Sequence, residues 1–332
     1  MKTMVLIISA FASSVVVGQE MDKDKDKVYT YNITKNDPFD GANNLSFEIT
    51  PLTIDASAED FVMGFRLGTN ARISKYGMIN FTYDFAYLDR IDQKSSSETP
   101  VDPEGLPISG SSPRKKWNLG GTVFFSRVLK DVEERLVVKS ESGGPNTTIN
   151  YVIDVPCKKA VLYGVNINLG RYGGQVSGNT GDGFKGYNIL YPETIIDDFS
   201  NKNFSRLTYN SFKLGLMRLR ISHLEAEIED FGSRETKRYS TVFCNMILGF
   251  NHDIEDMRKE VSLEGFNYYQ QFVLRDHNDF RPIGMELGFA AGGLASFGFN
   301  AYGKVGVRPG INMINDMFAE IGFGILINKK VW

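Results

Sequence analysis

The chain has 332 residues, 23% of them charged, and a formal net charge of -3, which leaves no basic surplus for holding nucleic acid. Apolar residues reach 42%, too many for a disordered chain, and no apolar run of about 18 residues occurs past the N-terminus, which excludes a bundle of membrane helices. The 33 glycines, 24 phenylalanines and 15 tyrosines favour an all-β protein of many strands.

The first element is an address. Lys2 precedes an apolar run from Met4 to Val17, the length of a signal-peptide core, and Val16 and Gly18 are small enough to flank a cleavage site before Gln19. Residues 1–18 are therefore expected to be a cleaved secretory signal, with no nearby cysteine to carry a lipid. Residues 19–43, in which Asp and Lys alternate from Met21 to Lys27, read as a flexible segment. Residues 44–332 read as one domain.

Within that domain apolar residues recur at every second position over stretches of ten or so. Phe61, Met63, Phe65 and Leu67 oppose Gly64, Arg66 and Gly68; Ile79, Phe81, Tyr83 and Phe85 oppose Asn80, Thr82 and Asp84. The pattern continues with Trp117, Leu119, Val123 and Phe125, then with Val161, Tyr163, Val165, Ile167 and Leu169. Further along come Val242 to Phe250, Ile283 to Phe289, Phe297 to Val307 and Met317 to Ile327. Strands of this length exceed the usual five or six residues of soluble sheets and match tilted strands that cross a bilayer. Between Leu207 and Ile228 the apolar parity switches from Phe212, Leu214 and Leu216 to Leu219 and Ile221. A β-bulge near Met217 would turn Arg218 and Arg220 inward; a strand that begins outside the membrane is the alternative.

Twelve strands are expected, within a range of ten to fourteen. Short turns fall at Ser74–Tyr76, Leu129–Asp131, Val155–Lys159, about Gly232 and Gly293–Ala295. Long connections fall at 90–114, 171–206 and 251–280, all on the opposite side. The hairpin at 132–154 could instead be an external flap.

This arrangement resembles the porin-like bacterial outer-membrane β-barrels over about Asn44 to Trp332, in architecture and secretory signal rather than in any family motif. The resemblance implies a single antiparallel transmembrane barrel with short periplasmic turns, long extracellular loops and an outer-membrane location. It also implies contact with outer-membrane lipid and insertion by the barrel-assembly machinery, which reads a terminal aromatic such as Trp332. Other envelope proteins are possible partners.

Alternation places Arg66, Asp84, Glu286, Lys304 and Glu320 on the inner wall, with Arg218 and Arg220 joining them if the bulge near Met217 occurs, and with Asn80, Asn166, Asn168, Asn245 and Asn300 adding amides. These would line a passive or substrate-selective path for small polar solutes. The alternatives are a non-conducting barrel within a larger envelope assembly and a soluble secreted β-protein. Phe266, Tyr268, Tyr269 and Phe272 form an aromatic cluster in a long loop, a candidate contact for a partner or glycan. The charges that open this loop could form a short surface helix.

No catalytic, metal or cofactor site is expected. The histidines are His223, His252 and His277; His223 follows Ser222, and adjacent strand residues point to opposite faces. Cys157 and Cys244 are expected as free thiols, with Cys157 in a turn and Cys244 packed as a small hydrophobe.

Overall fold

A computed structural model describes residues 30–39, 44–57, 60–73, 75–91, 115–144, 147–177, 185–188, 195–196, 204–254, 257–263, 266–275, 280–294, 296–310 and 316–330. The predicted signal at 1–18 and Trp332 lie outside the described residues. The elements are β1 (Tyr31–Lys35), β2 (Asn44–Ser57), β3 (Asp60–Ile73), β4 (Gly77–Ile91), β5 (Lys115–Gly144), β6 (Thr147–Ser177), β7 (Lys185–Asn188) and β8 (Ile195–Ile196). They continue with β9 (Phe204–Ile228), β10 (Gly232–Ile254), β11 (Met257–Leu263), β12 (Phe266–Arg275), β13 (Ile283–Gly293), β14 (Phe297–Val307) and β15 (Met317–Lys330).

Ten of these close into an antiparallel barrel in the order β2, β3, β4, β5, β6, β9, β10, β13, β14 and β15, with β15 returning to β2. Closure leaves the wall no unpaired edge. The count is ten rather than twelve because Leu129–Asp131 and Val155–Lys159 are not turns. The β5–β6 ladder runs straight through them, pairing Leu129 with Ala160 and Val132 with Cys157. The links between β3 and β4, β5 and β6, β9 and β10, and β13 and β14 share one end of the barrel, the turn end, with Asn44 and Lys330. The link from β9 to β10 needs left-handed backbone, taken up by Asp230 (φ 67°) and Gly232 (φ 71°). The longer connections lie at the other end, the loop end, where β11 pairs with β12 and β12 with β7. The charged stretch expected to form a helix contains strand β11 instead.

Beyond the turn end two elements outrun the wall. The β5–β6 hairpin separates from β9 below Lys159, and β1 takes the vacated place, pairing Tyr31 with Ile228 and Lys35 with Glu225. Residues 31–35, read from sequence as flexible, are thus a strand. Leu136, Val155 and Cys157 of the hairpin bury against Leu224 and Ala226 of β9, with Ile33, Val132 and Ile153 packed around them. The result is a small two-layer sandwich with its own apolar core. Arg238 reaches Glu134 across the layers at 3.0 Å, and Arg234 donates to the Val138 carbonyl at 3.0 Å.

The cysteine expectation is reversed in detail. Both thiols are free, but Cys157 is the buried one and Cys244 stands exposed on the outer wall. Burial, with Glu134 nearby, pushes the Cys157 thiol up to about 11, which leaves almost no thiolate at neutral pH. A maleimide at pH 7.5 should therefore leave Cys157 unlabelled in the folded protein and reach it only after denaturation. Mass spectrometry of the Cys157 peptide reads the result; full labelling before denaturation would contradict the sandwich.

Candidate functional site in the barrel lumen

Strand alternation gives the barrel an inverted polarity. The outer wall exposes Phe47, Leu67, Phe81, Leu119, Ile167, Leu216, Met246, Leu287, Phe299 and Phe323, at least one large apolar side chain from every strand of the wall. Glu48, Asp55, Arg66, Asp84, Glu286, Arg308 and Glu320 are each buried on the inside. The lumen is narrow enough that these groups meet across it.

The centre of the lumen is an ion-pair network. Arg66 donates to Asp84 at 2.5 and 2.9 Å and to Glu320 at 2.6 Å. Glu320 also accepts from Lys116 and lies 3.1 Å from Lys304. Lys116 stands 3.3 Å from Asp84 and 3.7 Å from Asp55, and Asp55 takes both its oxygens to Arg308 at 2.5 Å. Arg66 stacks on the Tyr302 ring at 4.0 Å. Tyr302 in turn covers Gly322 on the paired strand, where a Cβ would collide with the ring. Glycine at 322 is what lets the tyrosine lie flat under the guanidinium.

An amide chain leads away from the network. Asn80 and Asn118 donate to Asn168 Oδ1 at 3.4 and 3.2 Å, Asn168 to Asn166 at 2.8 Å, Asn166 to Asn245 at 3.1 Å and Asn245 to Glu286 at 2.8 Å. Lys213 closes the chain on Glu286 at 2.9 Å. Gly120 opposes Asn168 across the β5–β6 ladder, and any side chain there would displace the amide.

Toward the turn end the inward face becomes apolar. Phe124, Leu162, Leu219 and Ile221 form a buried cluster, with Phe39, Met78, Met217, Tyr239 and Leu294 packed against it. Phe39 comes from the segment after β1. That segment is pinned by Asn36, which accepts from the Lys158 amide at 2.6 Å, and by Asp37, which accepts from the Phe39 amide at 2.9 Å. Arg127 stacks on Phe39 at 5.0 Å. The lumen thus has an apolar floor, partly built by a residue that belongs to no wall strand.

At the loop end Tyr172 stacks on Tyr209 at 5.0 Å, Phe280 lies 5.8 Å from Tyr209, and His252 stacks on Phe280 at 4.3 Å. Between floor and loop end runs a cavity of about 280 Å³, lined by the network, the amide chain, Tyr209 and Tyr239.

Among the sequence-predicted lumen residues, Arg66, Asp84, Glu286, Lys304 and Glu320 all line this cavity, and all but Glu286 share ion pairs through Glu320 or Asp84. Arg218 and Arg220 do not. The β9 ladders run without a shift from Phe204 to Ser222 against β6 and from Asn210 to Ile228 against β10, so no bulge occurs at Met217. Both arginines share the outer face with Leu214 and Leu216, because the odd positions Met217, Leu219 and Ile221 are needed for the floor. They lie close to the turn end, where a cation on the outer wall costs only about 0–1 kcal/mol. In a conducting barrel, charge reversal at Arg218 or Arg220 should therefore leave ion selectivity unchanged, whereas reversal at Lys304 should alter it; reversal potentials under a salt gradient measure both.

Phe266, Tyr268, Tyr269 and Phe272 lie on β12, and their side chains fall outside the described residues. His277 also falls outside them. His223 lies 2.9 Å from Glu235. Lys116, Lys213, Asp55 and Arg308 join the network without having been singled out from sequence. Lys116 and Lys213 share parity with Asn118 and Ser211, which was signal enough.

No protein-family model and no curated protein sequence matches the chain. Among solved structures it is similar to OmpT, an outer membrane protein of Vibrio cholerae, at 10% identity and TM-score 0.17 over 90% of this chain and 100% of that one. It is similar to a TodX deletion mutant, a monoaromatic hydrocarbon channel, at 11% identity and TM-score 0.22 over 88% and 92% of the two chains. An anion-selective porin from Comamonas acidovorans gives 9% identity and TM-score 0.18 over 90% and 100%.

Proposed function

We propose that the chain is an integral bacterial outer-membrane protein whose barrel provides a selective, normally closed path for small polar solutes. The observation that supports this reading is the inverted polarity of a closed wall. A soluble barrel would hide Phe47, Leu67 and Leu287 and present Arg66, Asp84 and Glu320 to water; this one does the reverse. In this reading the short turns and the sandwich face the periplasm, the long connections face outward, and lipid covers the apolar belt. Insertion falls to the barrel-assembly machinery.

The apolar floor makes the path a gated one. Water and ions leave a narrow apolar constriction readily, so in this reading the path is closed until the floor moves. The test is made on the purified protein. A compact band in unboiled samples that slows on heating is expected for a membrane barrel, and in planar bilayers the closed baseline should be broken by rare small current steps. A soluble protein with no heat-dependent mobility would overturn the reading.

The same floor favours a second reading, in which the barrel never conducts and serves as a subunit of a larger envelope assembly. Purification from native membranes in mild detergent separates the two: a stoichiometric partner supports the assembly, and a lone barrel or homo-oligomer supports the path.

A further inference from the structure

We infer that the lumen cavity is a binding site for a small hydroxylated organic anion, with its carboxylate or phosphate group held at Lys304. The inference rests on the proposed membrane barrel and names the class of solute its lumen would select.

An excess of cations carries the first half of the argument. The central network joins four cations, Arg66, Lys116, Lys304 and Arg308, to three carboxylates, Asp55, Asp84 and Glu320. Glu320 serves three of the four cations. Its Oε1 accepts from Arg66 at 2.6 Å and lies 3.1 Å from Lys304, and its other oxygen accepts from Lys116. Among the described residues Lys304 has no second carboxylate within ion-pair distance. A Lys304 that turned to a guest would leave Glu320 with Arg66 and Lys116, so no carboxylate would be stranded.

The wider lining has the same sign. Arg72, Arg171 and Lys213 bring its cations to seven, against the carboxylates Glu48, Asp84, Glu286 and Glu320, with Asp55 behind Arg308 as a fifth. A buried charge short of counter-charge is costly in a narrow lumen, and an anionic guest supplies the deficit. A cationic guest adds to the excess. The carboxylate it could use is Glu48, which meets the Thr50 hydroxyl at 2.9 Å rather than a cation. The other four each lie 2.9 Å or less from a cation.

The second half is hydrogen bonding. Two buried polar atoms beside the cavity, the Tyr302 hydroxyl and Asn118 Oδ1, have no hydrogen-bond partner among the described residues. Such atoms cost free energy until a guest or water reaches them. Tyr302 stands two positions from Lys304 on the inner face of β14. Its O–H can donate to an oxyanion, and Asn118 Oδ1 can accept from a hydroxyl on the same guest. A cavity of about 280 Å³ suits a guest of about six carbons.

The experiment uses the full-length protein in detergent at low salt, where charge is least screened. The four probes are matched in length: gluconate, sorbitol 6-phosphate, neutral sorbitol and cationic N-methyl-D-glucamine. Saturation-transfer NMR titration reads the affinity for each. At least one anion is expected to bind about tenfold or more tightly than both sorbitol and N-methyl-D-glucamine. Which anion binds more tightly tells a carboxylate site from a phosphate site. Lys304→Met, which leaves three cations on three carboxylates, should weaken that anion about tenfold while the heat-modifiable band is retained. Tyr302→Phe, which removes only the hydroxyl, should weaken it about threefold or more. Should Lys304→Met fail to fold, Tyr302→Phe alone decides. Sorbitol or N-methyl-D-glucamine binding as tightly as the better anion overturns the inference. So does unchanged anion affinity in a folded Lys304→Met, or no binding by a protein that still shows the compact band; these outcomes leave the barrel reading standing. Loss of that band in the wild type overturns the barrel reading itself, and the inference with it.

Discussion

Replacing Glu320 by Gln is expected to destabilise the barrel by about 3–5 kcal/mol. The residue is 1% exposed and its carboxylate is held by Arg66, Lys116 and Lys304. Gln keeps the shape and removes the charge, leaving three cations around a neutral amide, with Asp84 and Asp55 as the remaining counter-charges in reach. Urea unfolding of the protein in lipid vesicles, followed by heat-modifiable mobility, measures the midpoint. The double variant Glu320→Gln, Lys304→Met removes one stranded cation and should recover part of the loss. Glu225→Gln is the control, since its pair with the exposed Lys35 lies at the surface and is worth about 0–1 kcal/mol. A midpoint for Glu320→Gln as close to wild type as that of Glu225→Gln would show that the network does not hold the lumen together.

Replacing Phe39 by Ala should turn a closed barrel into a conducting one. Among the described residues Phe39 is the one aromatic in the floor cluster contributed from outside the wall, and it is only partly buried, so its loss thins the floor while the wall keeps its hydrogen bonds. A hydrophobic constriction rewets when it widens, and single-channel recording should show long-lived current steps where the wild type holds near baseline. The cost in stability is modest, about 1–3 kcal/mol for a partly buried aromatic. Arg127→Ala, which removes the cation stacked on the Phe39 ring, should give a weaker version of the same opening. If Phe39→Ala stays closed, Phe124, Leu162, Leu219 and Ile221 suffice to seal the lumen, and the non-conducting reading takes precedence.

Much of the barrel could be read from period-two alternation, because a wall between two unlike environments imposes that period on every strand. Arg66, Asp84, Glu286, Lys304 and Glu320 were found this way. The failures have physical causes. Alternation cannot tell a strand that ends at the rim from one that continues past it, so it divides β5 and β6 each in two at points where the ladder is unbroken. Nor does it anticipate an inner face that turns apolar. In the sequence Leu219 and Ile221 read as a change of side; in the fold they are a change of neighbour, and Arg218 and Arg220 stay on the outer face. Asp55 was hidden by the bulge at Pro51–Leu52, which changes the parity of β2. Phe39 carried no periodic signal at all: its place is fixed by β1, a strand of five residues whose partner lies about two hundred residues away.

That distance bears on how the molecule is made. Strand β1 is synthesised before the wall, but its partner β9 is the sixth strand round the barrel from β2, and the chain must pass from beside β9 to β2 across the turn end. Strand β1 can therefore settle only after β9, the sixth of the ten wall strands, has been made. Adjacent hairpins such as β5–β6 form from neighbours in sequence and are available early, whereas β1–β9 is a late, long-range closure. An assembling barrel thus passes through a stage in which β2 to β6 exist and the floor still lacks Phe39. Whatever enters the lumen during biogenesis has that interval in which to do so.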